Sequence, residues 1–146
     1  MTIALDEAAT RAIWQPALLA LMTWREARGA GPVAMAAVAH TAVTRGRLHP
    51  GWWGHDIEGA IGLKWQYSSM AAPGDPQLIL WPHSYDLSFQ AALSIVQGVL
   101  DGTEPNPAPE ADSYYDDSIA APAWTAKATF ITKIDRLNFY RVRTHT

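Results

Sequence analysis

The stretch ALLALMTWREARGAGPVAMAAVAHTAV, residues 17–43, decides how this chain folds. Ala17 to Arg28 are good helix formers, Pro16 suits a first turn and Gly29 marks an end, so the pattern predicts a helix over about Ala17–Arg28. Pro32 fits the first position of a second helix, whose Val33–Val43 run carries small side chains almost all round. A helix so rich in alanine can approach its neighbours closely and is expected at the centre of the fold. On the first helix Leu19, Met22 and Glu26 are spaced by three and four and share one face. The face is apolar. Desolvation there and the C-terminal end of the helix dipole both disfavour a carboxylate and raise its proton affinity. An acid tuned that way stays protonated near neutral pH and can serve as a general acid. The plainer alternative is a Glu26 neutralised by Arg25 or Arg28.

Outward from this pair, Gly46–Asp56 (GRLHPGWWGHD) reads as a loop, after which Asp56 caps a short helix reaching Leu63. Lys64–Pro82 is broken by Pro73, Gly74, Asp75, Pro76 and Pro82 and reads as mostly irregular. A third long helix is expected over Tyr85–Leu100, with Ser84 as N-cap, Phe89, Leu93, Val96 and Leu100 as its stripe, and Gly102 after it. Beyond the Pro-rich TEPNPAPE the pattern turns to strand. Ser113–Tyr115 suits a short strand, and Ala128–Ile134 with Leu137–Arg143 suits a hairpin about Asp135-Arg136. The fold expected is α+β, mainly helical: one domain over residues 1–146 with a small C-terminal antiparallel sheet.

A chain of 146 residues, 49% of them hydrophobic, can bury a core without covalent staples. It has no cysteine, which excludes disulfides, thiolate metal sites, iron–sulfur clusters and thiol catalysis. The net charge is −3 and no basic stripe is present, which argues against a nucleic-acid partner. No apolar run approaches the roughly 18 residues of a membrane span, and residues 1–29 lack the basic start and long apolar run of a secretory leader. The five histidines show no HExxH or similar close spacing, so neither a metal site nor a cofactor is expected.

Seven tryptophans is many for this length. Trp14 and Trp24 fall on helices and suit the core. Trp52, Trp53, Trp65 and Trp81 fall in loops, where an indole either plugs a small core or lines a groove for a ring-shaped ligand. Gln66, Tyr67, Ser68 and Ser69 follow Trp65, and Tyr114 and Tyr115 stand beside Asp116 and Asp117. These side chains can hydrogen-bond a polyhydroxylated substrate, and they also fit ordinary loop polarity.

Trp24-Arg25-Glu26-Ala27-Arg28-Gly29, the Ala/Val-rich helix and Thr44-Arg45 resemble the EARGE…VAAVVLNR pattern. That pattern opens the catalytic domain of the cell-wall hydrolases related to the spore cortex-lytic enzyme. Lys64-Trp65-Gln66-Tyr67-Ser68 is similar to that family's QFS motif. Ala111–Tyr115, Pro122-Ala123-Trp124 and Ile134–Tyr140 resemble its closing pattern of paired aromatics, P-x-W and IG-x-H-x-FY. The motifs run in order from about Ala17 to Val142. Ala30, Tyr67 and Asp135 depart from the family's second acid, Phe and Gly.

The resemblance implies a lysozyme-like fold and cleavage of peptidoglycan glycan strands between MurNAc and GlcNAc, by a lytic transglycosylase or a muramidase, with Glu26 catalytic. It implies that Trp65, Gln66, Tyr67, Ser68, Tyr114 and Tyr115 bind substrate. It also suggests a phage or prophage endolysin without a separate wall-binding module. Such a protein is made in the host cytoplasm, does not insert stably in the membrane, and reaches the wall after a holin opens the inner membrane. Hydrolysis would need a second carboxylate, for which Asp56, Glu58 and Asp75 are the candidates. Two other classes compete: a non-catalytic glycan-binding protein of a phage particle, and a zinc amidase or peptidase acting on the stem peptide.

Overall fold

The computed structural model describes residues 6–48, 56–62 and 67–142. Five α-helices come first: α1 (Glu7–Ala27), α2 (Pro32–Leu48), α3 (Ile57–Gly62), α4 (Ser68–Ala71) and α5 (Leu87–Asp101). Three strands close the chain: β1 (Ser113–Asp116), β2 (Thr129–Ile134) and β3 (Leu137–Arg141). The expected α+β architecture, helices first and a small antiparallel sheet last, is present.

α1 begins ten residues before the expected start, and Pro16 lies inside it rather than in its first turn. An interior proline removes one backbone hydrogen bond and costs about 3 kcal/mol. Two local features offset that cost. Asp6 caps the helix through a 2.7 Å bond from Ala9 N–H. Arg11 then reaches Asp56 at 2.7 Å and Glu58 at 3.4 Å, and Gln15 bonds Glu58, so the first three turns are tied to α3. Trp14, expected in the core, is 56% exposed on this extension.

α2 runs on to Leu48, past the expected loop start at Gly46. Its centre is buried on nearly every side: Ala34 through Ala39, Thr41 and Ala42 are each no more than 2% exposed. The start of α3 lies almost on its backbone. A Cβ at Gly46 would sit 2.5 Å from the Ile57 amide nitrogen, so only glycine admits this approach. Asp56 caps α3, its carboxylate accepting from Gly59 N–H at 2.7 Å, as the sequence suggested.

The cap of α5 is Asp86 rather than Ser84, and the helix starts at Leu87 instead of Tyr85. Ser84 and Asp86 are both good caps, and Asp86 wins because its carboxylate receives the Phe89 amide and the Ser88 hydroxyl together. Gly102 ends the helix in a left-handed conformation at φ 80°.

The sheet order is β1-β3-β2, all antiparallel. Asp135 turns the β2–β3 hairpin with φ 52°, a left-handed setting that Asp tolerates better than most side chains. Leu137 and Phe139 of β3 join Leu19, Met22, Val38 and Val96 in one buried cluster, so helices and sheet share a core. No helix among the described residues is long and apolar enough to cross a membrane.

Replacing Gly46 by alanine is expected to force α2 and α3 apart. The contact is backbone against backbone, so no flexible side chain can yield, and overpacking of this kind costs about 1–3 kcal/mol. Thermal unfolding of Gly46→Ala should show a melting point lower by roughly 3–10 °C; an unchanged melting point would rule out the close approach.

Candidate active site around Glu26

Glu26 lies in the last turn of α1, at the negative end of the helix dipole. Leu19 and Met22, its partners on the same face, are fully buried. Glu26 itself is half-buried and keeps some solvent access. Burial of its carboxyl is the largest influence on its proton affinity and pushes its pKa up to about 7. The nearby Asp75 carboxylate pushes the same way, while Ser69 and the Arg45 guanidinium favour the charged form.

Arg25 and Arg28 do not neutralise it. Arg25 binds backbone carbonyls of the 69–80 segment. Arg28 bonds the Gln77 side chain at 2.8 Å and lies over the Trp24 ring at 4.1 Å. Trp24 is buried as expected, its indole N–H donating to Ser88 Oγ at 2.9 Å.

Four elements converge on the carboxyl. Tyr67, just before α4, is 1% exposed. Its phenol meets Thr41 Oγ1 of α2 at 2.8 Å, and since Thr41 donates to the Val38 carbonyl, the phenol is the donor. The Arg45 guanidinium lies over the Tyr67 ring at 4.6 Å, and burial raises the phenol's pKa. Tyr114 of β1 turns its phenol toward Glu26. Burial first, then the charge and acceptor oxygens of Glu26, hold that phenol well above its ordinary pKa. Ser69 of α4 is buried, and its hydroxyl makes no hydrogen bond of normal geometry. Its hydroxyl and its backbone N–H both face the Glu26 carboxyl and favour the charged form.

The sequence-predicted residues divide accordingly. Tyr67 and Tyr114 are brought to Glu26. Tyr67, however, is almost fully covered, so its visible work is to support Arg45 and Thr41. Tyr115 points to the other face of β1, as strand alternation requires. There it stacks on Tyr140 at 6.0 Å and meets Trp124 edge-on at 6.3 Å. Trp52, Trp53, Trp65, Gln66 and the Ser68 side chain lie outside the described residues. Of the loop tryptophans, Trp81 is described: it is 68% exposed and covers the Arg25 guanidinium at 4.9 Å.

Of the three candidate second acids, Asp56 and Glu58 bind Arg11, which lies about 22 Å along α1 from Glu26 at 1.5 Å per residue. Asp75 is the one that acts on Glu26, although its Oδ1 is engaged by the Gln77 amide at 2.8 Å. Sequence reasoning did not single out Arg45 or Arg25 as part of the site, and it read Ser69 only as one of the polar residues after Trp65 that could bond a substrate. The Arg45 signal was present in Thr44-Arg45, seven residues before which Val38 marks the buried side of α2. Among the described residues no group of three His, Cys, Asp or Glu side chains could hold a metal ion.

Comparison with solved structures finds two catalytic domains of similar fold. The catalytic domain of the germination-specific lytic transglycosylase SleB from Bacillus anthracis superposes with a TM-score of 0.64 at 20% identity. The match covers 97% of this chain and all of that one. The catalytic domain of the Bacillus cereus SleB protein gives a TM-score of 0.59 at 22% identity, over 87% of this chain and 91% of that one. At these identities the likeness establishes the fold, which is the lysozyme-like one expected. No curated protein matches the chain. The cell wall hydrolase family model matches residues 29–140 and so begins three residues after Glu26, whose role rests on its surroundings. A match over that much of the sequence means that the chain belongs to the cell wall hydrolase family.

Proposed function

We propose that this protein cleaves peptidoglycan glycan strands between MurNAc and GlcNAc as a lytic transglycosylase, with Glu26 as acid and then base. The observation that carries the reading is a single carboxyl, poised near neutral pH by burial, with a phenol, a guanidinium and a hydroxyl gathered round it. The family and the SleB likeness supply the substrate class.

Protonated Glu26 gives its proton to the O4 of GlcNAc as the bond from MurNAc C1 breaks. The sugar then carries oxocarbenium character and Glu26 is ionised. The MurNAc 6-hydroxyl attacks C1 and yields its proton to Glu26. The product is a 1,6-anhydro sugar, no water is consumed, and Glu26 ends as it began. The partly desolvated site favours the starting, protonated form. Arg45 and Ser69 lower the cost of the brief anionic one. A single-acid scheme suits a site whose other candidate acids, Asp56 and Glu58, are held at the far end of α1.

Asp75 supports a second reading, hydrolysis with Asp75 activating water, because it is the carboxylate that acts on Glu26. Mass spectrometry of digested purified peptidoglycan separates the two readings. Anhydro-muropeptides support the transglycosylase, reducing ends support the hydrolase, and freed amines alone would sink both.

Glu26→Gln should leave the fold intact and lower the rate on purified walls by at least the roughly 10²–10⁴-fold that general acid–base catalysis supplies. Retention of a tenth of the wild-type rate would remove Glu26 from the mechanism. In the wild type, kcat/KM should be flat in acid and fall about tenfold per pH unit above about pH 7 as free Glu26 loses its proton. An additional acid limb would point to a second carboxylate that must be ionised.

The same tuning costs stability. Glu26 titrates near 4.5 when unfolded and at about 7 when folded, so the folded state holds the extra proton between those values. Its stability therefore declines as pH rises through that window and is lowest, on this account, above 7. Gln cannot ionise. The melting point of Glu26→Gln relative to wild type should climb between pH 5 and pH 8, by the equivalent of roughly 2–3 kcal/mol. A constant difference would mean that the folded site does not raise the proton affinity of Glu26.

A further inference from the structure

Arg25 precedes Glu26 and points to another side of α1. The residue is 7% exposed, and each of its three guanidinium nitrogens finds a partner in one segment. Nε donates to the Leu80 carbonyl at 3.1 Å. One terminal nitrogen reaches the Ser69 carbonyl at 3.1 Å and Met70 Sδ at 3.4 Å. The other reaches the Leu78 carbonyl at 3.2 Å. The exposed Trp81 ring lies over the group at 4.9 Å. One planar guanidinium thus gathers carbonyls from α4, from the short 3-10 helix Pro76–Ile79 and from the chain just after it, across the turn at Pro73–Gly74. A desolvated cation is tolerated there because each of its nitrogens is hydrogen-bonded, and a lysine ammonium, with one nitrogen, cannot span the same three carbonyls.

The segment so gathered is the one that brings groups to Glu26. Ser69 holds its buried hydroxyl there, facing the carboxyl, and Asp75 caps the 3-10 helix with one oxygen while its charge reaches Glu26. The remaining groups that face the carboxyl, Arg45 of α2, Tyr67 and Tyr114 of β1, are held by other contacts. Arg25 therefore controls one wall of the site without touching the reacting atoms.

We propose that Arg25 is a positioning residue whose guanidinium holds residues 69–80 against α1 and so keeps Ser69 and Asp75 beside the Glu26 carboxyl. The proposal deepens the reading of Glu26 as the proton-transfer group and rests on it for its bearing on turnover. The clamp itself can be tested without turnover. If it loosens, water enters beside Glu26 and Asp75 withdraws. Both changes lower the carboxyl's proton affinity, and burial is the larger of the two influences. Loss of the Ser69 hydroxyl alone acts in the opposite direction, because that group favours the anion.

The experiment is a carbon-13 NMR titration of the Glu26 carboxyl, assigned by its absence in Glu26→Gln, in the wild type and in Arg25→Lys, Trp81→Ala and Ser69→Ala. It is run alongside kcat and KM on soluble glycan fragments. In Arg25→Lys the titration midpoint should fall by about half a pH unit or more, with Trp81→Ala moving the same way by less. Ser69→Ala should move it upward. In Arg25→Lys the loss of rate should appear in kcat rather than KM. If Arg25→Lys fails to fold, Trp81→Ala decides, since its ring is 68% exposed and its loss leaves the core intact. A folded Arg25→Lys, or in its default Trp81→Ala, that titrates Glu26 at the wild-type pH overturns the proposal. Wild-type protein that yields no glycan product overturns the reading of Glu26 instead, and the titration still decides on the clamp.

Discussion

The structure hangs on the attachment of the sheet to α2 through Arg45 and Asp112. The buried Arg45 donates its Nε–H to the Asp112 carbonyl at 2.6 Å. The Asp112 carboxylate, fully buried, receives the Ser113 hydroxyl at 3.1 Å and the Val142 amide at 2.8 Å. One residue thus fixes both the entry to β1 and the exit from β3. A buried guanidinium and a buried carboxylate are costly unless their polar atoms are engaged, so this junction tolerates little displacement. Its position sets everything downstream. With β1 held there, Tyr114 falls opposite the end of α1, and the guanidinium of Arg45 covers the Tyr67 ring.

Much of this was legible in the residues because the relevant signals are local. The three-and-four spacing of Leu19, Met22 and Glu26 defines a face whatever the helix packs against. The alanines of α2 announce close approach, and the β-branched run before Asp135-Arg136 announces a hairpin. What escaped the sequence depends on distant partners. Pro16 reads as a helix start until Arg11 and Gln15 are seen to bind α3, more than forty residues on. Tyr67 reads as loop polarity until its hydroxyl meets Thr41. Three of the partners of Arg25 are backbone carbonyls, which every residue carries, so no pattern of side chains could have pointed to those bonds. Tyr114 and Tyr115 are a different case. Strand alternation alone requires that only one of two consecutive residues face a given group, and the structure decides which.

The fold persists against the SleB catalytic domains at 20–22% identity because what it requires is permissive. A small-sided central helix, a left-handed residue between β2 and β3, and a buried tether between helix and sheet can each be met by more than one residue type. Asp135 illustrates this at φ 52°, a setting that glycine meets without strain and aspartate meets at modest cost. The chemistry around Glu26 is less permissive, because it depends on the balance between burial and a few charges rather than on shape alone.

The raised proton affinity of Glu26 also reaches into the heat of folding. A formal net charge of −3 counts this residue as an anion, yet near pH 7 the folded molecules divide about equally between protonated and ionised forms while unfolded chains are almost wholly ionised. Folding at that pH must take up about half a proton from the buffer through this one side chain. The enthalpy measured by calorimetry then includes a share of the buffer's own ionisation heat. Two buffers with different ionisation enthalpies will report different values for the same transition, and their difference gives the molecule's net proton uptake, to which Glu26 contributes about half a proton.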